Sequence, residues 1–138
     1  MANDFNTSVI EEFRANHGRV GGWFEGAHLL LLTTRGRRSG KPHTAPLGRL
    51  TAEDGRVLVI GSAAGSDTHP AWFLNILESP GVTVEDGDET YRATAVVLDG
   101  ADRDREFARA AAGDPGWADY QKKTDRVLPV VALLRAEQ

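Results

Sequence analysis

The chain has 138 residues, of which 41% are hydrophobic and 26% charged, and its formal net charge is −4. This length and balance suit a single domain that buries its own core, and we expect residues 1–138 to form one. The absence of cysteine excludes disulfides, thiolate catalysis and cysteine-ligated metal sites. The acidic balance makes general nucleic-acid binding a poor expectation. No apolar run of signal-peptide type is present at the N-terminus, so we expect a cytoplasmic protein.

The first predicted element is a helix over about residues 6–17. Ser8 and Glu11 match a capping box, with serine at the N-cap and glutamate three residues later. Apolar residues then fall on one helical face, and the sequence Asn-His-Gly at 16–18 is a plausible stop.

The rest of the chain is predicted to be strands and helices joined by short turns. Apolar or alternating runs predict six strands, over 28–34, 43–50, 56–60, 82–85, 90–98 and 127–135. Helices are predicted after a cap at Asp67 or Thr68, over about 101–112, and near 117–123. Turn-length links with few crossovers favour an α+β, mainly β fold, a small barrel of mostly antiparallel strands with flanking helices.

The sharpest chemical signal is the basic loop, residues 35–41, which reads RGRRSGK and contains no acid. Gly36 and Gly40 permit backbone conformations in which consecutive amides face one anion. A phosphate or a polycarboxylate suits such a loop, although the glycine and lysine spacing is not that of the nucleotide P-loop. The alternative is a solvated basic turn. The candidate side-chain donors are Arg37, Arg38, Ser39, Lys41 and Thr44.

The second signal is the small-residue segment GSAAGSDTHPAWFLN at 61–75. Small residues between a strand and a helix allow a flat ligand to approach closely, and the helix N-terminus adds free amides. An ordinary strand-to-helix connection explains the segment equally well. Trp72 is interpreted as a core residue and His69 as a structural turn or cap residue, while Asn75 is undecided.

The third signal is the aromatic pair Trp117 and Tyr120, which share a helical face at i, i+3 spacing. The pair either packs on the barrel or forms a lid over a pocket, with Tyr120 as a proton or hydrogen-bond donor. The four histidines are scattered, with no close helical spacing, so we expect no metal site.

Three segments in this order, LLLLTTRGRRSGKPHTAPLGRL, HPAWFLNILESPGVTVEDG and YQKKTDRVLPVVAL, resemble the deazaflavin-dependent nitroreductase family. This is the actinobacterial group of F420H2-dependent oxidoreductases, and the resemblance covers the chain from about His28 onward. It implies an FMN-binding split-barrel-like fold with coenzyme F420. It also implies hydride transfer from F420H2 to an electron-poor quinone, enone or nitroaromatic.

The resemblance also assigns residues. It implies that the basic loop holds the coenzyme's phosphate and glutamyl tail. Given that coenzyme, our hypothesis is that donors near Ser62 and Tyr120 stabilise or protonate the charge forming on the acceptor. His43 stands where relatives often carry arginine, Ala63 where some carry lysine, and Trp117 where nitroimidazole-activating members carry tyrosine. The implied coenzyme contacts are Arg37, Arg38, Ser39, Lys41, His43, Thr44, Pro46, Leu47, Ser62, Ala63, Ala64, Gly65, Trp72 and Asn75, and the implied substrate contacts are Trp117 and Tyr120.

Two other functions stay open from the sequence. An FMN-dependent split-barrel reductase or oxidase would use the same fold, but only a glutamyl tail needs so many cations along one loop. A non-catalytic binder of a flat anionic ligand, such as a fatty acid or haem, would bind without hydride transfer. The expected partner is a small-molecule hydride acceptor, with the protein a monomer or homodimer. Quinones reside in membranes, which leaves peripheral contact with the inner membrane open, but the N-terminal helix carries too few cations for us to expect it.

Overall fold

The computed structural model describes residues 4–18, 28–62 and 65–136. Within these ranges the chain forms four helices and seven strands. In chain order they are α1 (Asp4–Ala15), β1 (Leu29–Arg35), β2 (Pro42–Gly48), β3 (Leu50–Thr51), β4 (Val57–Ile60), α2 (Ala71–Glu78), β5 (Gly81–Asp86), β6 (Glu89–Val97), α3 (Gly100–Gly113), α4 (Gly116–Lys122) and β7 (Val130–Arg135).

The strands form one sheet in the order β2-β1-β5-β6-β7-β4-β3, and every neighbouring pair is antiparallel. The edge strands β2 and β3 are separated in the chain by Arg49 alone. Two sheet edges joined by one residue must meet, so the sheet curls into a half-barrel with a seam where β2 lies against β4. The predicted split barrel is confirmed.

The concave side of the sheet holds the main core, which alternate residues of each strand fill. Leu30 and Leu32 of β1 face this side, and α2 plugs one end of it. Trp72 is 4% exposed and packs edge-on against Phe73 at 6.1 Å between ring centroids, so it is a core residue, as interpreted from the sequence. The other buried members are Ala45, Val59, Ile76, Val82, Val84, Ala93, Ala95, Val131 and Leu133.

The convex side is covered by two separate helical layers. On β1, Leu29 and Leu31 point outward and pack beneath Val9 and Phe13 of α1. On β4 and β7, the outward residues pack beneath α3 and α4. The seam between β2 and β4 lies between these layers. No described helix is long and apolar enough to cross a membrane.

The structure corrects several predicted boundaries. Helix α1 begins at Asp4, so Ser8 lies inside it and the predicted capping box is wrong. The predicted strand 43–50 is divided at Arg49, because residues before it pair with β1 and residues after it pair with β4. The predicted cap at Asp67 or Thr68 is also wrong, since Pro70 occupies the N-cap position of α2.

The last strand begins at Val130, three residues later than predicted. The reason is local hydrogen bonding, because the Leu128 amide donates to the Gln121 side chain at 3.0 Å and Pro129 has no amide to give. The apolar character of the segment was read correctly, but its first residues do not join the sheet.

The end of α1 is fixed by a close backbone contact that generates a test. Gly18 has φ +94°, and a Cβ there would lie 2.8 Å from the Gly87 Cα in the β5–β6 turn. Gly55 has φ +93° with open space around it. Both alanine substitutions incur the left-handed backbone cost of about 1 kcal/mol or more. We expect Gly18→Ala to lower the free energy of unfolding by at least about 1 kcal/mol more than Gly55→Ala, measured by urea denaturation. Equal losses would contradict the packing of α1 on this turn.

Candidate active site

The basic loop connects β1 to β2 and is closed by its own backbone. The Gly36 amide donates to the Lys41 carbonyl and the Gly40 amide to the Gly36 carbonyl, both at 2.8 Å. Gly40 has φ +71°, and a Cβ on Gly36 would lie 2.7 Å from the Ser39 Oγ. Gly40 is therefore favoured by its backbone conformation, and Gly36 leaves room for the Ser39 hydroxyl.

A buried amide fastens this loop to the plug helix α2. Asn75 is 3% exposed; its Oδ1 accepts from the Arg37 amide at 3.0 Å, and its Nδ2 donates to the Thr34 Oγ1 at 2.9 Å. Both ends of the side-chain amide are engaged, so the loop and the helix hold a fixed relation. Asn75, undecided from the residues alone, lies behind the loop.

The predicted amide cradle does not form as expected. The amides of Gly36, Arg37, Gly40 and Lys41 all donate within the protein, the last to the Ser39 Oγ at 3.1 Å. These four groups cannot also face an anion, because the hydrogen bonds that shape the loop consume them. Recognition of an anion there falls mainly to side chains.

The side chains of the loop are exposed and carry unneutralised charge. Arg37, Arg38 and Lys41 have no carboxylate within 4.0 Å among residues 4–18, 28–62 and 65–136. The Thr44 hydroxyl lies 2.8 Å from the Thr33 hydroxyl, and His43 is exposed at the start of β2. A charged cluster in an acidic protein produces a locally positive surface that attracts anions.

The seam presents a second group of predicted residues. In β2, Thr44, Pro46 and Gly48 point to the convex side, whereas Leu47 packs against the concave core beside Leu30. Leu47 is thus a packing residue, and Pro46 is the one of the two whose ring faces the seam surface. Its alternation with Leu47 follows from the two-residue repeat of a strand.

The aromatic pair of α4 stands beside this surface. A Cβ on Gly48 would lie 3.6 Å from the Trp117 ring, an ordinary van der Waals distance, so the indole lies against β2 at this position. Trp117 and Tyr120 contact edge-to-face at 6.1 Å between centroids, and both are half-buried against the core of α3, β4 and β7. The pair packs on the barrel and also borders the seam, so the two interpretations made from the sequence are compatible.

The small-residue segment packs against α4 at Gly65. Gly65 has φ +81°, and a Cβ there would lie 2.8 Å from the Tyr120 carbonyl oxygen and 3.0 Å from the Lys123 side chain. Ser62 is half-buried, and its carbonyl accepts from the Gly65 amide at 2.8 Å. Ala63 and Ala64, predicted coenzyme contacts, lie outside the described residues.

An arginine that sequence reasoning missed holds this segment in place. The Arg126 guanidinium donates to the carbonyls of Gly61 at 3.0 Å, Ser62 at 2.9 Å and Ser66 at 2.9 and 3.1 Å. The fifth N–H group donates a hydrogen bond to the His69 Nδ1 at 3.0 Å, so every N–H group of the guanidinium has an acceptor. No spacing could show this, because the partners are backbone carbonyls about 60 residues earlier.

His69 serves as an acceptor in this arrangement. Because the guanidinium can only donate, Nδ1 must be unprotonated and the ring proton must sit on Nε2. Burial, and then the charge of Arg126, lower the pKa of His69. The ring also lies 4.7 Å from the Phe73 ring. His69 is therefore a structural residue, consistent with its interpretation from the sequence, and not a free base.

The described residues offer no metal centre, since no three His, Asp or Glu side chains among them converge. The candidate site is instead a seam flanked by the basic loop, β2, the described residues that follow β4, and α4. The model of the F420H(2)-dependent quinone reductase family matches residues 7–135. The chain belongs to this family. Family membership confirms the predicted F420H2-dependent oxidoreductase class and its deazaflavin cofactor.

Individual members of the family show the same relationship. The F420H(2)-dependent quinone reductase Rv1261c of Mycobacterium tuberculosis (strain H37Rv) is 30% identical over 128 residues, covering 89% of this chain and 85% of that protein. The structure of an F420-H2 dependent reductase, FDR-A, has a TM-score of 0.67 and 38% identity over 76% of this chain and 92% of its own. A structure described as a domain-swapped dimer has a TM-score of 0.68 and 33% identity over 94% and 97%.

The Asn75 contact predicts a measurable loosening of the basic loop. Asn75→Ala leaves the Arg37 amide and the Thr34 hydroxyl without their partner, which costs about 1–3 kcal/mol of unfolding free energy. We also expect faster hydrogen exchange at the Arg37 amide, measured by NMR. The matched control is Leu77→Ala, an exposed position of the same helix, which should change neither quantity appreciably. Unchanged exchange at Arg37 in Asn75→Ala would refute the role of the amide.

The His69 contact predicts a pH dependence of stability. Since the folded pKa lies below the unfolded value of about 6.5, the unfolded chain binds more protons below that pH, and stability falls as the pH decreases. We expect His69→Asn, which keeps an acceptor but cannot titrate, to flatten this part of the profile. The comparison is His43→Asn at an exposed histidine. Urea denaturation from pH 7.5 to 5 measures both, and identical slopes in the two variants would argue against the contact.

Proposed function

We propose that this chain is a reductase that transfers a hydride from F420H2 to a quinone. The observation that carries the proposal is the basic loop, whose unneutralised cations are fastened by the buried Asn75 beside the seam. Membership of the F420H(2)-dependent quinone reductase family supports both the coenzyme and the acceptor class.

The residues of the site fit such a coenzyme. F420 carries a flat deazaflavin, a phosphate and a glutamyl tail, so it needs a smooth surface at one end and cations at the other. Pro46 supplies a surface without a long side chain beside the Trp117 indole that covers Gly48, and the basic loop lies at the opposite end of the same strand. Arg37, Arg38 and Lys41 would bind the phosphate and tail by charge-assisted hydrogen bonds.

The contribution of the protein is placement and charge stabilisation. A bound reduced deazaflavin would supply the hydride, because a ring carbon replaces the flavin nitrogen that supports one-electron chemistry. When the hydride adds to a quinone, two electrons enter it and negative charge builds on an oxygen, which then takes one proton. The hydroxyls of Ser62 and Tyr120 are proposed to donate to that oxygen. Arg126 and Gly65 hold their backbones at the seam.

The acceptor is proposed to be a quinone first, with enones and small nitroaromatics as further acceptors. Trp117 lies against Gly48 where an acceptor would enter the seam, so its indole narrows the space for bulky nitroimidazoles. We further propose that the protein works in the cytoplasm. The relative described as a domain-swapped dimer makes a homodimer the assembly to test first, by light scattering.

The proposal predicts coenzyme binding and turnover together. Purified protein titrated with F420 should bind it saturably, and F420H2 should be oxidised only when menadione is present, followed by the return of deazaflavin absorbance. FMN is the control ligand, because it lacks the glutamyl tail. Binding of FMN in preference to F420, or of neither, would overturn the proposal.

Replacing Tyr120 by Phe examines the proton-donor role within the same assay. We expect kcat to fall by roughly 10²-fold with F420 affinity retained, in line with the contribution of a positioned acid. Unchanged turnover would remove Tyr120 from this role and leave Ser62 or solvent as the donor.

A further inference from the structure

An apolar pocket, which we name the α3 pocket, lies where α3 covers β3, β4 and β7, and its volume is about 270 Å³. On the helix side it is lined by Ala110 and Gly113, which lie one turn apart and leave space above the strands. Because protein interiors are close-packed, an open pocket of this size is a candidate binding site. The aliphatic residues that line it are Leu50, Leu58, Ile60, Ala110 and Val130.

The polar groups of the α3 pocket already have partners within the protein. Glu106 is 3% exposed, and its carboxylate accepts a hydrogen bond from the Arg109 side chain at 3.0 Å. The Thr51 Oγ1 and the Asp114 Oδ1 each accept a hydrogen bond at 2.9 Å from a residue two positions away. Since these groups are engaged, the part of the lining that a ligand can cover without disrupting a hydrogen bond is hydrocarbon. The pocket therefore favours an apolar ligand over a charged one.

The α3 pocket adjoins the seam. Leu50, which lines the pocket, follows Gly48 of the seam by two residues, a span of at most about 7 Å. Trp117 lies against Gly48 and packs on the same buried cluster to which Leu58 of the pocket belongs. A molecule bound in the seam beside Trp117 therefore has the pocket within reach of a substituent on its ring.

We infer that the α3 pocket binds the hydrocarbon chain of a prenylated quinone while the quinone ring occupies the seam. This inference rests on the proposed function and narrows the acceptor from quinones in general to quinones with an apolar chain. Burial of the chain stabilises the complex in proportion to the apolar area removed from water. Recognition of the acceptor is thus separated from the reacting ring.

The kinetic test compares menadione with the same naphthoquinone ring bearing one prenyl group, each as the oxidant of F420H2. Ala110→Leu fills the pocket, and Ala108→Leu is the matched control at an exposed position of α3 outside the lining. Gly113→Leu is a second filling variant. A Cβ there would meet no atom within 4 Å, so this variant keeps the test decisive if Ala110→Leu disturbs folding.

In the wild type we expect a lower KM for the prenylated quinone than for menadione. Each filling substitution should raise the KM of the prenylated quinone roughly tenfold, as when about two methylene groups are no longer buried, and should leave that of menadione within about twofold. Ala108→Leu should change neither KM. An unchanged ratio of the two KM values in the filling variants would overturn the inference, while turnover of menadione would uphold the proposed function. No oxidation of F420H2 by either quinone would overturn both.

Methyl NMR locates the hydrocarbon chain without turnover, since no F420H2 is added. The protein contains three isoleucines, of which Ile60 lines the α3 pocket, Ile76 is buried in the concave core and Ile10 lies on α1. Saturation with the prenylated quinone should shift the Ile60 methyl signal and leave that of Ile76 in place. In Ala110→Leu the Ile60 shift on addition of this quinone should be lost. An Ile60 signal that does not move in the wild type would overturn the inference.

Discussion

The fold depends on one short passage of chain. Arg49 alone separates β2, at one edge of the sheet, from β3 at the other, so closure of the barrel is built into the connectivity. Arg49 also makes hydrogen bonds through its backbone amide and through its side chain. Its amide donates to the His28 carbonyl at 2.8 Å, and its side chain meets Asp86 at 2.5 Å and the Thr51 hydroxyl at 2.9 Å. These contacts tie the seam to the β5–β6 turn.

The site is a consequence of this closure. Because β2 ends at the seam, its convex surface lies within reach of α4 and of the segment that follows β4. Trp117 contacts β2 at Gly48, and Gly65 allows the same helix to approach from the other side. The glycines act as points of contact between elements distant in sequence, while Asn75 and Arg126 fix the loops through buried or half-buried hydrogen bonds. The proposed site is thus assembled from four separate stretches of chain.

Much of this arrangement could be predicted from the sequence, and the remainder could not for identifiable reasons. Strands were visible because apolar periodicity reflects burial, and the basic loop because its charge is local. The predicted capping box at Ser8 is wrong because the same residue pattern can occur inside a helix that begins earlier, as α1 does at Asp4. The loop amides were assigned to an anion, since a sequence does not show which donors the loop itself consumes. Arg126 acts through backbone carbonyls, which only the folded chain brings close to it.

The position of β7 in the sheet has a consequence for how the protein acquires its shape. This strand is the last of the described strands in chain order, yet it lies between β6 and β4. Without β7, strand β4 is not hydrogen-bonded to the strands β2-β1-β5-β6, which carry the basic loop. Only the seam between β2 and β4 would then connect the two groups of strands. Arg126, whose side chain holds the carbonyls of Gly61 and Ser62, lies four residues before the start of β7. An ordered site therefore requires strand pairing between residues more than 70 positions apart in the sequence, such as Val57 with Leu133, and non-local pairing of this kind is typical of slow folding.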